Sequence, residues 1–174
     1  MKLRQPASAS ISGAAFLVDR SGLTDAVKSR SIELMNSILG TTSVLLFKVW
    51  GFHWNMVGDS FHPTHKWFQK LYESLSEDVD STAERVRAMN GKALGSLSEM
   101  IEHSIINETI PGELPSIPEM INILLLDYET SIRQMRNACS ILAAIQPQDD
   151  GDLNYLQDMI MRREKDTWML RANS

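Results

Sequence analysis

Two histidines 12 positions apart, His53 and His65, precede two acids one helical turn apart, Asp80 and Glu84, all within the 33 residues from His53 to Arg85. Imidazole mixed with carboxylate is the donor set that suits iron and other first-row transition metals. The spacing is awkward for a single site. On one helix running from about Pro63 to about Met89, His65 and Asp80 stand 15 positions apart, which is about 22 Å along the axis. No metal ion bridges that distance. Asp80 and Glu84, at i and i+4, share a face. Asp78 lies close by, and spacing alone does not choose between it and Asp80. The turn from Trp54 to Ser60 lets His53 fold back toward His65. The chain therefore carries a histidine half-site at one end of a helix and a carboxylate half-site about four turns away. A second copy running antiparallel across a two-fold axis would join them, and an isologous contact would make two such sites at once.

The elements that must hold these residues are helical. Met35, Ile38, Thr42, Leu45, Val49 and Phe52 recur at spacings of three and four, which is one face of a helix. Asn55, Gly58 and Asp59 mark a turn. Phe68, Leu71, Leu75, Val79, Val86 and Met89 form a second face, closed by Asn90-Gly91. Residues 92–116 make a long connection, in which Ser96 to Glu99 has the pattern of a capping box opening a short helix. A third face runs from Ile117 through Ile121, Leu124, Tyr128 and Met135 to Leu142. Pro147 to Gly151 end it, and Leu153, Leu156, Ile160, Thr167 and Leu170 form a fourth. Four long helices, with the long connection between the second and third, describe an all-α four-helix bundle of the ferritin-like type. The predicted organisation is an extended tail over 1–22 and one bundle domain over 23–174.

Composition narrows the function classes. With 174 residues and 43% hydrophobic residues, the chain can bury one sizeable core. A net charge of −5 argues against a strongly basic nucleic-acid binder. The single cysteine, Cys139, excludes an internal disulfide, fits a reducing cytoplasm and reads as a small core residue. No apolar run approaches the length needed to span a bilayer, and the interrupted start is a poor signal peptide. A location in the cytoplasm, away from membranes, is the expectation. The ten methionines read mostly as core filler.

The run His53-Trp54-Asn55-Met56-Val57-Gly58, followed by Phe61, His65, Asp80 and Ala83-Glu84-Arg85, resembles the signature of the Dps proteins, the mini-ferritins. Trp168-Met169-Leu170-Arg171 looks like the end of their last helix, so the resemblance covers residues 25–172. It implies a hollow dodecamer built from two-fold dimers, with ferroxidase centres at the dimer interface. It also implies that Fe(II) is oxidised there by hydrogen peroxide or dioxygen and that the ferric product is stored inside. By position, His53 and His65 resemble the ligands from one subunit, and Asp80 and Glu84 those from its partner. The resemblance thus selects Asp80 over Asp78, which is left to face water; the alternative role for Glu84 is a surface pair with Arg85. Trp54 resembles the tryptophan that takes up an oxidising equivalent. Two iron positions per centre are implied, and zinc is a candidate substitute.

The chain departs from that pattern at Gln69, where the family has an aspartate. A neutral amide cannot compensate the charge of a cation. Gln69 itself, or His62 one turn before His65, is then a candidate for completing the second position. The resemblance also places acids at the start of the last helix around three-fold pores that draw in Fe(II). Asp149, Asp150 and Asp152 stand there, Asp150 being the best candidate, although Asn154 replaces one expected acid. Their alternative role is capping. DNA binding is not expected, because Lys2, Arg4 and the amino terminus are the tail's only cations and release few counterions. A Dps-like shell that sequesters metal or compacts DNA, with little ferroxidase activity, is the second reading, kept open by Gln69.

Overall fold

The computed structural model describes residues 21–174. The expected tail, with Lys2 and Arg4, lies outside the described residues except for Ser21 and Gly22. Five helices follow: α1 (Asp25–Asn55), α2 (Phe61–Ala88), α3 (Leu97–His103), α4 (Ile117–Ala144) and α5 (Asp150–Arg171). No strand occurs among the described residues.

Local chemistry explains most of the boundaries. The Thr24 hydroxyl accepts from the Val27 amide, 3.3 Å, and starts α1. Ser96 with Glu99 forms a reciprocal capping box at α3, and Glu119 accepts from the Ser116 N–H and hydroxyl at the start of α4. Asp149 caps α5 by accepting from the Asp152 amide, 3.1 Å. The stop after α2 falls where expected, at Asn90 and Gly91. Asn90 takes the left-handed conformation, with φ 67°, while Gly91 N–H donates to the Val86 carbonyl, 2.9 Å. Gly91 is needed for closeness instead, since a Cβ there would meet Ile32 at 2.7 Å.

The core has two apolar ends. One cluster joins Val49 and Phe52 of α1, Phe68 and Leu71 of α2, Met120 and Leu124 of α4, and Leu170 of α5. The other joins Met35 and Ile38, Val86 and Met89, Met135 and Leu142, and Leu156 and Met159. The first halves of α2 and α4 thus meet at the same end, so these two helices run parallel, with α1 and α5 antiparallel to them. That is the topology the long connection demands. Helix α1 packs against α2, α3 and α4. Its most apolar 18-residue window has mean hydropathy 1.3, so by length and composition alone it could cross a membrane. That helix is the central core helix of the bundle, and most of the window is buried.

Between the two apolar ends lies a polar layer. Arg163, 1% exposed, reaches Asp78 Oδ2 at 3.1 Å, Ser131 Oγ at 3.2 Å and Thr42 Oγ1 at 3.4 Å. Its guanidinium also sits 5.4 Å from the centre of the Tyr128 ring. Asp78, far from facing water, is 3% exposed and takes a second guanidinium, that of Arg162, at 2.9 Å. A carboxylate can be buried this way because two guanidinium groups replace its water.

Helix α3 lies on α1 where Gly40 leaves room. A Cβ at Gly40 would stand 2.7 Å from the Met100 carbonyl oxygen and 3.0 Å from the His103 carbonyl carbon. Both atoms are backbone and cannot swing aside. Gly40→Ala is therefore expected to destabilise the protein by about 1–3 kcal/mol, as overpacking does. The gain of about 0.5–1 kcal/mol that alanine brings to a helix interior is too small to offset this. A urea midpoint that rises on this substitution would show that α3 is not pressed against α1.

Candidate metal centre

His53 occupies the last turn of α1, which runs through Asn55, so Trp54 is helical and not the first residue of the loop. His65 is in the second turn of α2, whose start at Phe61 puts Pro63 inside the first turn. The five-residue turn 56–60 closes the two helices on each other. Gly58, at φ 138°, makes the bend.

The imidazoles stack, with ring centres 3.7 Å apart and planes 18° from parallel. Each is tied to the other's backbone: His53 Nδ1 lies 2.9 Å from the His65 carbonyl, and His65 Nδ1 lies 3.0 Å from the His53 carbonyl. A carbonyl oxygen only accepts, so both Nδ1 atoms carry hydrogen and both Nε2 atoms are left with lone pairs. This is the arrangement by which outer hydrogen bonds fix the tautomer of a metal-binding histidine. Phe61 stacks on His65 at 5.0 Å, and Tyr72 sets its edge or face against His53 at 5.1 Å.

Electrostatics favour the neutral form. Burial first, and the neighbouring His65 second, lower the His53 pKa from 6.5, while its bond to the His65 carbonyl opposes them. The unfolded chain therefore binds more protons just below pH 6.5, and stability of the metal-free protein falls as pH falls through that window. Protons also compete with metal less well here than at a free imidazole. Zn(II) affinity, measured by calorimetry over a pH series, should hold to about pH 6.5 and weaken only below it. A loss of affinity that begins well above that pH would contradict this reading.

At the other end of α2, Asp80 and Glu84 are exposed. Neither carboxylate is engaged by a hydrogen bond or ion pair among the described residues. Arg85, the alternative partner weighed for Glu84, pairs with the fully buried Asp152. Burial, more than any neighbour, pushes the Asp152 carboxyl up to about 6, while Arg85 pulls against it. Asp149 is buried too and accepts from Ser31 Oγ at 3.0 Å. Only Asp150 of these three acids is exposed. Asn154 is exposed beside it.

Gln69 is exposed one turn after His65, and its Nε2 donates to Glu73 Oε1 at 2.8 Å. That bond leaves the amide oxygen as the donor atom available to a cation. His62 is exposed. Trp54 is 66% exposed and stacks on Trp50 at 6.0 Å, 13° from parallel. Neither Trp50 nor Tyr72 stands out in the sequence as a site residue. The signal was there, because Trp50 is one helical turn before Trp54. Cys139 is half-buried against the second core cluster, and burial raises its thiol pKa.

Among the described residues, no group of three or more histidine, cysteine or acidic side chains is gathered for a metal ion within one chain. The bundle interior is closed to one, since its central layer holds the Arg163 guanidinium, which repels cations. The two Nε2 lone pairs, by contrast, are donors of the kind a transition metal takes.

Residues 32–173 match the ferritin-like domain family. The chain is 32% identical over 141 residues to DNA protection during starvation protein 2 of Bacillus anthracis, covering 81% of this chain and 94% of that protein. It is 33% identical over 151 residues to a low temperature-induced protein of Nostoc, covering 87% and 83% respectively. The crystal structure of Dps from Staphylococcus aureus superimposes with a TM-score of 0.76 at 30% identity, covering 82% of this chain and 93% of that one. The fold and these matches define a ferritin-like protein. The chain belongs to the Dps family.

Proposed function

We propose that this protein is a mini-ferritin. It takes Fe(II) as substrate at centres shared between two subunits and oxidises it with hydrogen peroxide or dioxygen. The Fe(III) is then stored as mineral inside a hollow dodecamer, protecting the cytoplasm from oxidative damage. The observation that carries this reading is the pair of stacked imidazoles with both Nε2 atoms free. On the same helix, Asp80 and Glu84 are exposed, unengaged and far too distant to complete the site within one chain.

In this reading His53 and His65 of one subunit, with Asp80 and Glu84 of its partner, hold the metal. Imidazole keeps affinity for Fe(II), and carboxylate favours the more highly charged Fe(III). An incompletely filled sphere leaves room for oxidant. A dimer contact is supported by an open cleft of about 900 Å³ lined by Phe47, Trp50, Tyr72, Asp80, Leu97 and Met100. Beside it Phe47, Leu97 and Ile101 are 47%, 59% and 47% exposed. Apolar side chains clustered like this mark an association surface. Asp150 is the proposed lining of an iron pore.

The second reading is a shell of the same build that sequesters metal or compacts DNA with little oxidation. Gln69 favours it, since an amide tied to Glu73 stands where the family has a carboxylate. The net charge of −5 speaks against DNA. Stopped-flow absorbance after adding Fe(II), with peroxide and with dioxygen in separate runs, decides between them. Oxidation no faster than in the protein-free control would sink the ferroxidase reading. A solution mass far from about twelve subunits would sink the shell.

A further inference from the structure

Gln69 departs from the family pattern, and its neighbours show how an amide can serve in that place. It follows His65 by four residues on α2, so the two side chains share a face, with Cβ atoms about 5–6 Å apart. Glu73 follows Gln69 by the same step. Side chains on a helix lean toward its N-terminus, so Glu73 reaches back to Gln69 and Gln69 leans toward the histidine pair. The Gln69 Nε2 donates to Glu73 Oε1 at 2.8 Å. A carboxylate only accepts, so the amide nitrogen is the atom that must face Glu73. An amide without such an anchor turns either end to a cation, and its NH2 end repels one. Lys70 stands three residues before Glu73 yet forms no ion pair with it among the described residues. Glu73 also lines the open cleft of about 900 Å³ together with Asp80. The amide bond thus lies where a second subunit closes over the site in the reading above.

We infer that Glu73 is a positioning residue that holds the Gln69 amide with its oxygen toward the histidine end of α2, making that neutral oxygen a ligand of a second metal position. This rests on the shared-site reading above. The second position then carries one negative charge fewer than an aspartate would give it. It takes divalent ions more weakly than the position at the two imidazoles does. Its affinity depends on Glu73 through the orientation of Gln69, without contact between Glu73 and the metal. The requirement placed on residue 73 is therefore an acceptor oxygen, and not a charge.

The test is calorimetric titration of the full-length, metal-free assembly with Zn(II), without iron or oxidant, so that binding is read apart from turnover. The wild-type protein should take two Zn(II) per histidine pair, one tightly and one weakly. Glu73→Ala should weaken the second class about tenfold, the low end of what losing an outer partner of a ligand costs. The tight class should stay as it was. Glu73→Gln keeps an oxygen that accepts from the Gln69 amide, and it should restore the second class. Gln69→Asp supplies a carboxylate directly and should tighten the second class. Adding Glu73→Ala to Gln69→Asp should cost nothing further, because the residue that Glu73 orients is gone. Equal weakening by Glu73→Ala and Glu73→Gln overturns the inference, since charge would then be what Glu73 supplies. An unchanged second class in Glu73→Ala overturns it as well. So does a wild-type protein that takes only one Zn(II) per histidine pair, a result that leaves the shared site standing. Failure to bind Zn(II) at all removes both.

Discussion

Replacing His65 with alanine is expected to cost at least about 100-fold in Fe(II) or Zn(II) affinity and to abolish iron oxidation above the protein-free rate. The bound is set by chemistry one shell further out, where losing a group that merely orients a histidine costs about 10–100-fold. Removing His65 does more than delete one nitrogen. Its ring is the stacking partner of His53 at 3.7 Å. Its main-chain carbonyl, which holds His53 Nδ1 at 2.9 Å, survives the substitution. His53 should thus keep its tautomer but lose its companion. Stability should change by less than about 1 kcal/mol, because the side chain is only half-buried and near a helix end. Calorimetric metal titration and stopped-flow oxidation read the two effects separately. Normal oxidation by His65→Ala would show that the metal sits elsewhere.

The largest expected effect on folding comes from Arg163→Ala. The substitution empties the middle of the bundle and leaves the Asp78 carboxylate, 3% exposed, with only the half-exposed Arg162 for a cation. Removing one partner of a buried ion pair costs about 3–5 kcal/mol, because the other charge stays in a poorly solvated place. That is a large share of the roughly 5–15 kcal/mol a domain of this kind has in total. The urea midpoint of the assembled protein should fall accordingly. Replacing Arg163 and Asp78 together by apolar residues of similar volume should recover most of the loss, since no orphan charge then remains. Equal losses for the single and double replacements would mean that packing, and not charge, is what Arg163 supplies.

The polar layer shows where reading the sequence fails. Arg163 falls between Ile160 and Thr167 on the apolar face of α5, and a lone arginine there reads as a break in the pattern. Asp78 sits among Glu77 and Asp80 and reads as one of several surface acids. Nothing in either segment says that they meet, because they are 85 positions apart and belong to different helices. Arg85 and Asp152 repeat the lesson. The local candidate, Glu84 beside Arg85, is the adjacent one in sequence, yet the guanidinium turns inward to a carboxylate on α5. Charged side chains choose partners by burial, and burial is a property of the assembled bundle.

Helix positions, the capping box of α3 and the parallel course of α2 and α4 were legible because they follow from local spacing, from turn residues and from the length of one connection. The residue types at His53, His65, Asp80 and Glu84 were legible as well, and so was the impossibility of one helix bringing them together, since the rise per residue is constant. Three things waited for the tertiary structure. Packing of α1 on α2 stacks the two imidazoles and ties each Nδ1 to a carbonyl, leaving Nε2 available. Packing of α5 against α1, α2 and α4 puts Arg163 in the centre of the bundle and shuts that interior to cations. The same packing buries Asp78 and leaves Asp80 exposed. Periodicity along one chain fixes which face a residue is on, but which groups meet across helices depends on how those faces come together.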